Sequence, residues 1–233
     1  MSWTDDAEKH AEDCYPRESC GLIVSINGVD TYRRARNRAR GTDHFALDPE
    51  DYANAEAEGE IVALVHSHPD APAHPSAADL VSCEASGLPW HIISLPGRVW
   101  SGCSPSGYKA PLIGRPFFHG VLDCWALIRD AFKEMRGIDL PDFERDDDWW
   151  HHGGDMYMQN YAKAGFHAVG DGPKPFDVIL MQVASPVVNH AALYLGDDVI
   201  LHHLQRRLSC RDVYGGYWRK STLLIVRHES CVT

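Results

Sequence analysis

Five polar residues at fixed spacings constrain the N-terminal part of this chain more than any other feature of its sequence. They are Glu18, His66, His68, Ser76 and Asp79. His66 and His68 are two residues apart, so both side chains lie on the same face of an extended strand. Ser76 and Asp79 are three residues apart, so they share a face on a helix. A strand that ends near His68 and a helix that begins near Ser76 would bring these groups together. The pattern predicts an α/β arrangement with a polar site.

The residue types in this pattern are those of a catalytic zinc site. Two imidazoles and one carboxylate suit Zn²⁺ and leave one coordination position open for water. Zinc lowers the pKa of that water and supplies hydroxide near neutral pH. Glu18 would accept the proton of the water and return it to the leaving amine. The Ser76 hydroxyl would donate a hydrogen bond to the oxyanion.

Residues 1–100 resemble the JAMM/MPN metallopeptidase family at these positions and along the stretch from Asn37 to Asp48. The resemblance implies an α/β, cytidine-deaminase-like fold and one Zn²⁺ per chain. It also implies Glu18 as the acid/base and Ser76 as the oxyanion donor. The zinc ligands that it implies are His66, His68 and Asp79. The alternative is a vestigial or purely structural metal domain, because motif matches are hypotheses.

A second, unrelated arrangement lies further along the chain. Cys124 stands at the start of a predicted helix that runs to Arg136, and a helix N-terminus favours thiolate. We therefore expect an accessible thiol of low pKa, with the free backbone N–H groups of this turn available to an oxyanion. His190 and His202 flank predicted strands that could place both imidazoles beside the thiol. His190 would be the base and His202 would orient it. Because side chains alternate along a strand, His203 is the rival of His202.

Residues 116–233 resemble the NlpC-type cysteine peptidases, a papain-like group that cuts cell-wall peptides. The resemblance implies an α+β, papain-like fold. The roles that it implies are nucleophile for Cys124, base for His190 and orienting residue for His202. The sequence departs from the family pattern in two ways. Ala126 stands where the family often has glycine, and no tyrosine lies between Lys109 and Cys124.

The composition changes between these two parts of the chain. Residues 101–116, with the sequence SGCSPSGYKAPLIGRP, are rich in Gly, Pro and Ser and predict a linker or an ordered connection between domains. The predicted domains are therefore residues 1–100 and 117–233. The chain has 233 residues, of which 44% are hydrophobic, so both halves can bury a core. Helices and strands that alternate in the first half predict α/β, and a helical start before antiparallel strands predicts α+β in the second.

Charge and composition exclude several classes of function. The net charge of -11 repels phosphate backbones, so we expect no nucleic-acid partner. No stretch approaches the ~18 apolar residues of a transmembrane helix, and no signal peptide is visible. We therefore expect no membrane insertion. The 7 cysteines are odd in number and irregularly spaced, which predicts free thiols and synthesis in a reducing cytoplasm.

The two resemblances occur in the same order as in the tail-tip assembly proteins of lambda-like siphophages. This order implies a phage peptidase whose Cys-His-His site hydrolyses peptide crosslinks of peptidoglycan, beside a zinc site of unknown substrate. It also implies that the partners are peptidoglycan peptide and other tail-tip proteins. The implied location is the host cytoplasm during assembly and then the tail tip of the virion. Two alternatives are a cytoplasmic processing protease or isopeptidase, and an assembly factor whose sites are inert.

Overall fold

The computed structural model describes residues 2–231 of the chain. These residues form two compact units, one that ends at Lys109 and one that begins at Ala110. Each unit has its own sheet and its own hydrophobic core. Over the described residues, the helices are too short or too polar to cross a bilayer.

The first unit packs helices against a five-stranded sheet with strand order β2-β1-β3-β4-β5. Strands β3 and β4 are parallel, and the other neighbouring strands are antiparallel. The helix between the parallel strands is α3, which confirms the predicted α/β fold. The elements of this unit are α1 (Trp3–Cys14), β1 (Cys20–Ile26), β2 (Val29–Ala35), α2 (Pro49–Glu58), β3 (Glu60–Pro69), α3 (Ala77–Ser86), β4 (Trp90–Leu95) and β5 (Val99–Cys103).

Both faces of this sheet are covered. On one face, Leu22 of β1 packs with Ala55 of α2 and Cys83 of α3. On the other face, the next residue, Ile23, packs with Ala7 of α1. Because side chains alternate between the faces of a strand, a sheet covered on both sides needs apolar residues at successive positions. This requirement explains the continuous apolar runs of the central strands.

Short local signals set the turns and helix starts of the first unit. Asn27 and Gly28 join β1 to β2 with φ angles of 52° and 79°, the left-handed values that a tight hairpin turn requires. Asp48 accepts a hydrogen bond from the backbone N–H of Glu50, and Pro49 occupies the first turn of α2. Local turn and capping residues therefore determine where these elements begin.

The second unit has a six-stranded antiparallel sheet with strand order β10-β9-β8-β7-β11-β6. A helix precedes the strands in the chain, which confirms the predicted α+β fold. The elements are α4 (Cys124–Arg136), α5 (Met156–Asn160), β6 (Phe166–Ala168), β7 (Val178–Met181), β8 (His190–Gly196), β9 (Val199–His202), β10 (Cys210–Val213), α6 (Gly216–Ser221) and β11 (Thr222–His228).

Helix α4 is amphipathic and packs against β8 and β9. Leu127, Ile128, Ala131 and Phe132 are buried in the main core of the second unit, at the spacing of one helix face. The helix ends at Gly137, whose φ of 68° closes the last turn in the left-handed conformation. This packing holds the first residue of α4 near the strands that carry the two candidate histidines.

Residues 149–164 form short separate elements instead of one helix. A 3₁₀ turn covers Trp149–His151, and α5 covers only Met156–Asn160. Between them, Gly153 has a φ of 78°, which lies outside the helical region. A Cβ on Gly154 would lie 2.8 Å from the carbonyl oxygen of Trp149. The two glycines therefore end the first turn, and the aromatic residues of this segment pack from separate short elements.

Part of the predicted linker belongs to the first unit. Residues 101–103 lie in β5, and a Cβ on Gly102 would clash with the carbonyl oxygen of Trp90 on the paired strand. Glycine at this position permits a close approach of two strands. Further on, the carboxylate of Glu84 accepts backbone hydrogen bonds from Ser106 at 2.5 Å and Tyr108 at 3.0 Å. The division after Lys109 therefore falls inside the stretch that composition predicted as the connection.

Candidate metal and cysteine sites

The three predicted zinc ligands meet at the C-terminal end of β3. His66 and His68 lie on this strand, and Asp79 lies in the first turn of α3. The Nε2 atoms of His66 and His68 are 3.1 Å apart. The Asp79 carboxylate lies 3.3 Å from Nε2 of His66 and 3.4 Å from Nε2 of His68. The sequence pattern thus becomes a compact group of two nitrogens and one carboxylate.

These separations fit a tetrahedral zinc ion. At metal–ligand distances of about 2.0–2.1 Å, neighbouring ligand atoms of a tetrahedron are roughly 3.3 Å apart. The three separations between the ligand atoms, which are 3.1, 3.3 and 3.4 Å, lie close to that value. Nδ1 of His68 donates to the carbonyl oxygen of Pro72 at 2.8 Å, so in the neutral ring Nε2 carries the lone pair. The donor set and its tautomer therefore suit Zn²⁺.

A capping box fixes the carboxylate of this group. The Ser76 hydroxyl accepts from the backbone N–H of Asp79 at 3.1 Å, and the Asp79 carboxylate accepts from the backbone N–H of Ser76 at 2.7 Å. Burial acts to raise the pKa of Asp79, but the interactions of its carboxylate with the His66 and His68 rings outweigh burial and lower it. The capping bond uses a lone pair of Ser76 Oγ and leaves its proton for another acceptor. The role of the Ser76 hydroxyl as a donor to an oxyanion stays a prediction.

Glu18 precedes β1 and is only 7% exposed. Burial raises the pKa of Glu18 to about 8, the charge of His68 opposes this shift, and the charges of Asp79 and Asp43 add to it. The Glu18 carboxyl is therefore within electrostatic range of His68 and Asp79. A carboxyl group here can carry a proton in the same region as the candidate metal.

The loop between β2 and α2 covers this site. Asn37 donates its side-chain N–H to the carbonyl oxygen of Glu18 at 3.0 Å, and its own side-chain oxygen accepts from the backbone of Ala46 at 3.0 Å. Phe45, held by the same loop, packs its ring on His66 with the centroids 4.9 Å apart. Asn37 therefore positions both the acid/base candidate and the wall of the site. The hydrogen bonds that give Asn37 this role were not evident from the sequence.

Cys124 is the first residue of α4, and its thiol contacts a tyrosine. Sγ lies 3.0 Å from the hydroxyl of Tyr157 on α5. Burial raises the pKa of Cys124 to about 11, and the charge of Asp123 adds to that effect. Hydrogen bonds from Tyr157 and from the backbone of Ala191 oppose the shift without reversing it. Cys124 is partly exposed, and the direction of this pKa shift is opposite to the low pKa that the helix N-terminus predicts, because burial of the thiol disfavours the thiolate.

Asp123 occupies the helix N-terminus that was expected to be free for an oxyanion. Its carboxylate accepts from the backbone N–H of Ala126 at 2.9 Å, as an N-cap residue does. It also pairs with Arg145, whose Nε lies 2.7 Å away, and both side chains are 3% exposed. Burial acts to raise the pKa of Asp123, but the charge of Arg145 outweighs burial and lowers it. The N–H of Ala126 is thus already engaged.

Arg145→Gln is expected to destabilise the second unit by about 3–5 kcal/mol, because it leaves the carboxylate of Asp123 buried without a counter-charge. Hydrogen exchange of α4 peptides in the intact chain measures this loss. The matched control is Arg129→Gln. Arg129 pairs with Asp142 at 2.7 Å, but the side chains are 31% and 48% exposed, so its loss should have an effect below about 1 kcal/mol. Equal effects of the two substitutions would contradict the prediction.

Alkylation of Cys124 by iodoacetamide is expected to keep accelerating between about pH 7 and 10, because only the thiolate reacts and burial raises the pKa of Cys124 to about 11. Peptide mass spectrometry after timed labelling of the intact protein gives the rate. Tyr157→Phe removes a hydrogen bond that favours the thiolate, so its rate should be lower at each pH. A rate for Cys124 that is already constant below neutral pH would show a low-pKa thiol and refute this prediction.

The two predicted histidines of the cysteine site are joined directly. His190 begins β8 and His202 ends β9, and Nε2 of His190 lies 3.1 Å from Nδ1 of His202. Burial lowers the pKa of His190 to about 3 and also lowers the pKa of His202, so both rings are neutral near pH 7. His203 instead packs its ring against Phe117, with centroids 5.1 Å apart. The geometry therefore pairs His190 with His202.

The Cys124 thiol lies near the strands that carry His190 and His202 without a direct hydrogen bond to either ring. Helix α4 packs on β8 and β9, and the backbone of Ala191, next to His190, favours the thiolate of Cys124. Within residues 2–231, no hydrogen bond joins Sγ of Cys124 to either imidazole, and its side-chain partner is Tyr157. Tyr157 is buried and also belongs to the main core of the second unit.

Known protein families match both units. Residues 2–101 match the model of the prokaryotic homologs of the JAB domain, and residues 99–227 match the NlpC/P60 family. The chain thus joins the two peptidase-family domains that the motifs predicted, in the predicted order. A solved JAB1/MPN domain protein from Archaeoglobus fulgidus is 19% identical, covers 48% of this chain and 95% of that protein, and has a TM-score of 0.32.

Two phage proteins are similar over most of their length. Tail tip assembly protein K of Escherichia phage N15 is 42% identical over 223 residues, which are 94% of this chain and 91% of that protein. Tail tip assembly protein K of Escherichia phage lambda is 42% identical over 185 residues, which are 79% of this chain and 90% of that protein. The chain belongs to the tail tip assembly protein K family, as the resemblance in the sequence predicted.

Proposed function

We propose that this protein is a peptidase of the phage tail tip that hydrolyses stem-peptide bonds of peptidoglycan at its cysteine site. The observation that carries this proposal is the pair formed by His190 and His202 at 3.1 Å, on strands that pack against the helix begun by Cys124. A nucleophile with a base and an orienting group is the arrangement of acyl-transfer enzymes. Membership of the NlpC/P60 family supports the same chemistry.

In the proposed reaction, Cys124, His190 and His202 have three separate roles. The proton of the Cys124 thiol passes to His190 as Sγ attacks the peptide carbonyl carbon. The C–N bond then breaks, His190 returns the proton to the leaving amine, and water hydrolyses the thioester. His202 orients His190 throughout through their hydrogen bond. Because the resting thiol has a raised pKa, proton transfer would accompany attack instead of preceding it.

We propose a second peptidase site, of unknown substrate, in the first unit. His66, His68 and Asp79 would hold one Zn²⁺, a proposal that their mutual separations support. When bound, zinc would supply Lewis-acid activation of water and of a peptide carbonyl. Glu18 would carry the proton from water to the leaving amine, and the Ser76 hydroxyl would donate to the oxyanion.

The family also supports a proposal about partners and location. Both phage relatives are named tail tip assembly proteins, so we propose that this protein assembles with other tail-tip proteins in the host cytoplasm. It would then be carried at the tail tip of the virion and meet the peptide crosslinks of the wall there. Detection of the chain in purified mature particles would support this location, and its absence from them would favour a cytoplasmic processing enzyme.

The test of the proposed function is digestion of purified peptidoglycan by the intact protein. Mass spectrometry of the soluble products should show stem-peptide fragments whose new ends identify the bond that is cut. A second candidate function is an inert assembly factor, which the raised pKa of Cys124 and its contact with Tyr157 favour. Tail assembly without any fragment release would establish that second candidate.

A further inference from the structure

The second imidazole of the cysteine site faces a carboxylate outside the predicted catalytic set. Nε2 of His202 lies 3.8 Å from Oδ2 of Asp212 and 3.7 Å from Sγ of Cys210, both on β10. Its other nitrogen, Nδ1, lies 3.1 Å from Nε2 of His190. The two nitrogens of His202 therefore have different neighbours. The position of its single proton decides what His190 can do.

Asp212 is held beside His202 from two sides. Its backbone pairs with Ile200 of β9, and its Oδ2 accepts from the indole N–H of Trp218 at 3.0 Å. The Trp218 ring packs edge-on against His202, with the centroids 4.7 Å apart. The carboxylate, the indole and the imidazole thus form one packed group from β9, β10 and α6.

Only one of two neutral imidazoles can donate to the other. If His202 carries its proton on Nε2, toward Asp212, then its Nδ1 accepts a hydrogen bond from the Nε2–H of His190. His190 then has an unprotonated Nδ1. If His202 instead carries its proton on Nδ1, this N–H donates to Nε2 of His190, and His190 must then carry its own proton on Nδ1. In that second state His190 cannot accept the proton of a thiol.

The charges around His202 favour the first of these states. Asp212 raises the pKa of His202 and so attracts its proton, whereas burial and the positive charge of Arg207 lower that pKa. The thiol of Cys210, 3.7 Å from Nε2, is both a weak donor and a weak acceptor, so it favours neither tautomer. The N–H of Trp218 is directed at Asp212. Asp212 and Arg207 are the charged groups that act on His202 within residues 2–231. Of these two, Asp212 is thus the one that draws the proton to Nε2.

We propose that Asp212 is a positioning residue, which holds the proton of His202 on Nε2 and thereby leaves Nδ1 of His190 free to accept the proton of Cys124. In that transfer the S–H bond breaks as Sγ bonds to the peptide carbonyl carbon, and an N–H bond forms on Nδ1 of His190, which becomes an imidazolium. The catalytic consequence rests on the proposed peptidase function. The assignment of the protons can be tested without it.

The test is long-range ¹H–¹⁵N NMR of the histidine rings in the intact protein near neutral pH. The shifts distinguish protonated from unprotonated ring nitrogens. We expect both His190 and His202 to carry their protons on Nε2. Asp212→Asn removes the charge and should produce a mixture of tautomers at His202, whereas Asp212→Glu should restore much of the Nε2–H form. The control is Asp197→Asn, a loss of the same charge at an exposed turn whose φ of 50° asparagine tolerates.

The functional readout is the pair of kcat and KM for a soluble stem peptide. Asp212→Asn should lower kcat about tenfold with little change in KM, less than the ~10⁴-fold loss on replacing the buried carboxylate of a serine-protease triad. The smaller effect is expected because the Asp212 side chain is 39% exposed. Partial recovery in Asp212→Glu would support positioning over a structural role, and equal losses in both variants would overturn it.

The tautomers decide the proposal even if a variant fails to fold. A proton on Nδ1 of His202 in the wild-type protein would overturn it, as would an unchanged tautomer in a folded Asp212→Asn variant. If the wild-type tautomers are as expected and no peptide is cleaved, the proton assignment is supported and the proposed peptidase function fails.

Discussion

The Cys124→Ala variant is expected to release no stem-peptide fragments from peptidoglycan, with activity lowered by about 10³-fold or more. The reason is that alanine removes the only atom that forms the covalent intermediate in the proposed reaction. His190→Ala should cause a loss of similar size, because the proton of the thiol then has no acceptor. Effects of such residues are non-additive, so the double variant should be no worse than either single variant. Fragment release is measured by mass spectrometry of the soluble products.

The matched control for this prediction is Cys231→Ala. Cys231 is another free, half-buried thiol of the second unit, and its Sγ lies 3.5 Å from Arg136. Its removal should leave fragment release unchanged. Activity that persists in Cys124→Ala, or that disappears equally in Cys231→Ala, would show that Cys124 is not the nucleophile.

Purified wild-type protein is expected to contain about one zinc per chain, and Asp79→Ala to contain almost none. Asp79 supplies the only negative ligand of the group, and its carboxylate lies 3.3 and 3.4 Å from the two imidazole nitrogens. Removal of this ligand leaves two neutral nitrogens, which are a poor site for a divalent cation. Elemental analysis of the purified proteins, together with a binding titration, measures the difference.

Two variants separate loss of a ligand from other effects on the zinc site. Glu18→Gln should keep the zinc, because Glu18 is outside the ligand set, while any metallopeptidase turnover falls by about 10²–10⁴-fold. Asp70→Asn removes a carboxylate from the loop after β3 that bonds to Tyr15 at 2.9 Å, and it should change neither property. Zinc that is absent from the wild type, or retained in Asp79→Ala, would refute the metal assignment.

The metal group was predictable because its information is local. His66 and His68 share a strand face, and Ser76 and Asp79 form a capping box on the next helix. The alternation of a strand and the pitch of a helix therefore determine their geometry. The sequence did not predict which residues cover this group. Phe45 reaches His66 through a loop that Asn37 fixes by tertiary hydrogen bonds.

The surroundings of Cys124 were less predictable because they come from distant parts of the chain. Tyr157 is 33 residues from Cys124, and Arg145 is 22 residues from Asp123. The sequence indicated a cysteine at a helix start, for which a low pKa is expected when the site is open to solvent. The pKa is raised instead, because burial and a neighbouring capping carboxylate oppose the helix dipole. Burial of a single atom depends on packing that no local pattern specifies.

Composition alone did not distinguish a linker from an ordered connection between the units. Glycine, serine and proline after residue 100 predicted one or the other, and Gly102 is required for the approach of β5 to β4. Ser106 and Tyr108 are fixed by Glu84. The same residue types mark flexible segments and close backbone contacts, and only tertiary structure distinguishes the two.

In the proposed function, the cysteine site cuts the wall peptide independently of the candidate zinc site. The most direct measurement compares fragment release from peptidoglycan by the wild-type protein with and without a zinc chelator, beside the His68→Ala variant. We expect equal fragment release in all three samples, because a thiol nucleophile would attack carbon directly and would require no metal. Fragment release that is lost with chelator and in His68→Ala, yet kept in Cys124→Ala, would contradict it and assign the cleavage to the zinc site.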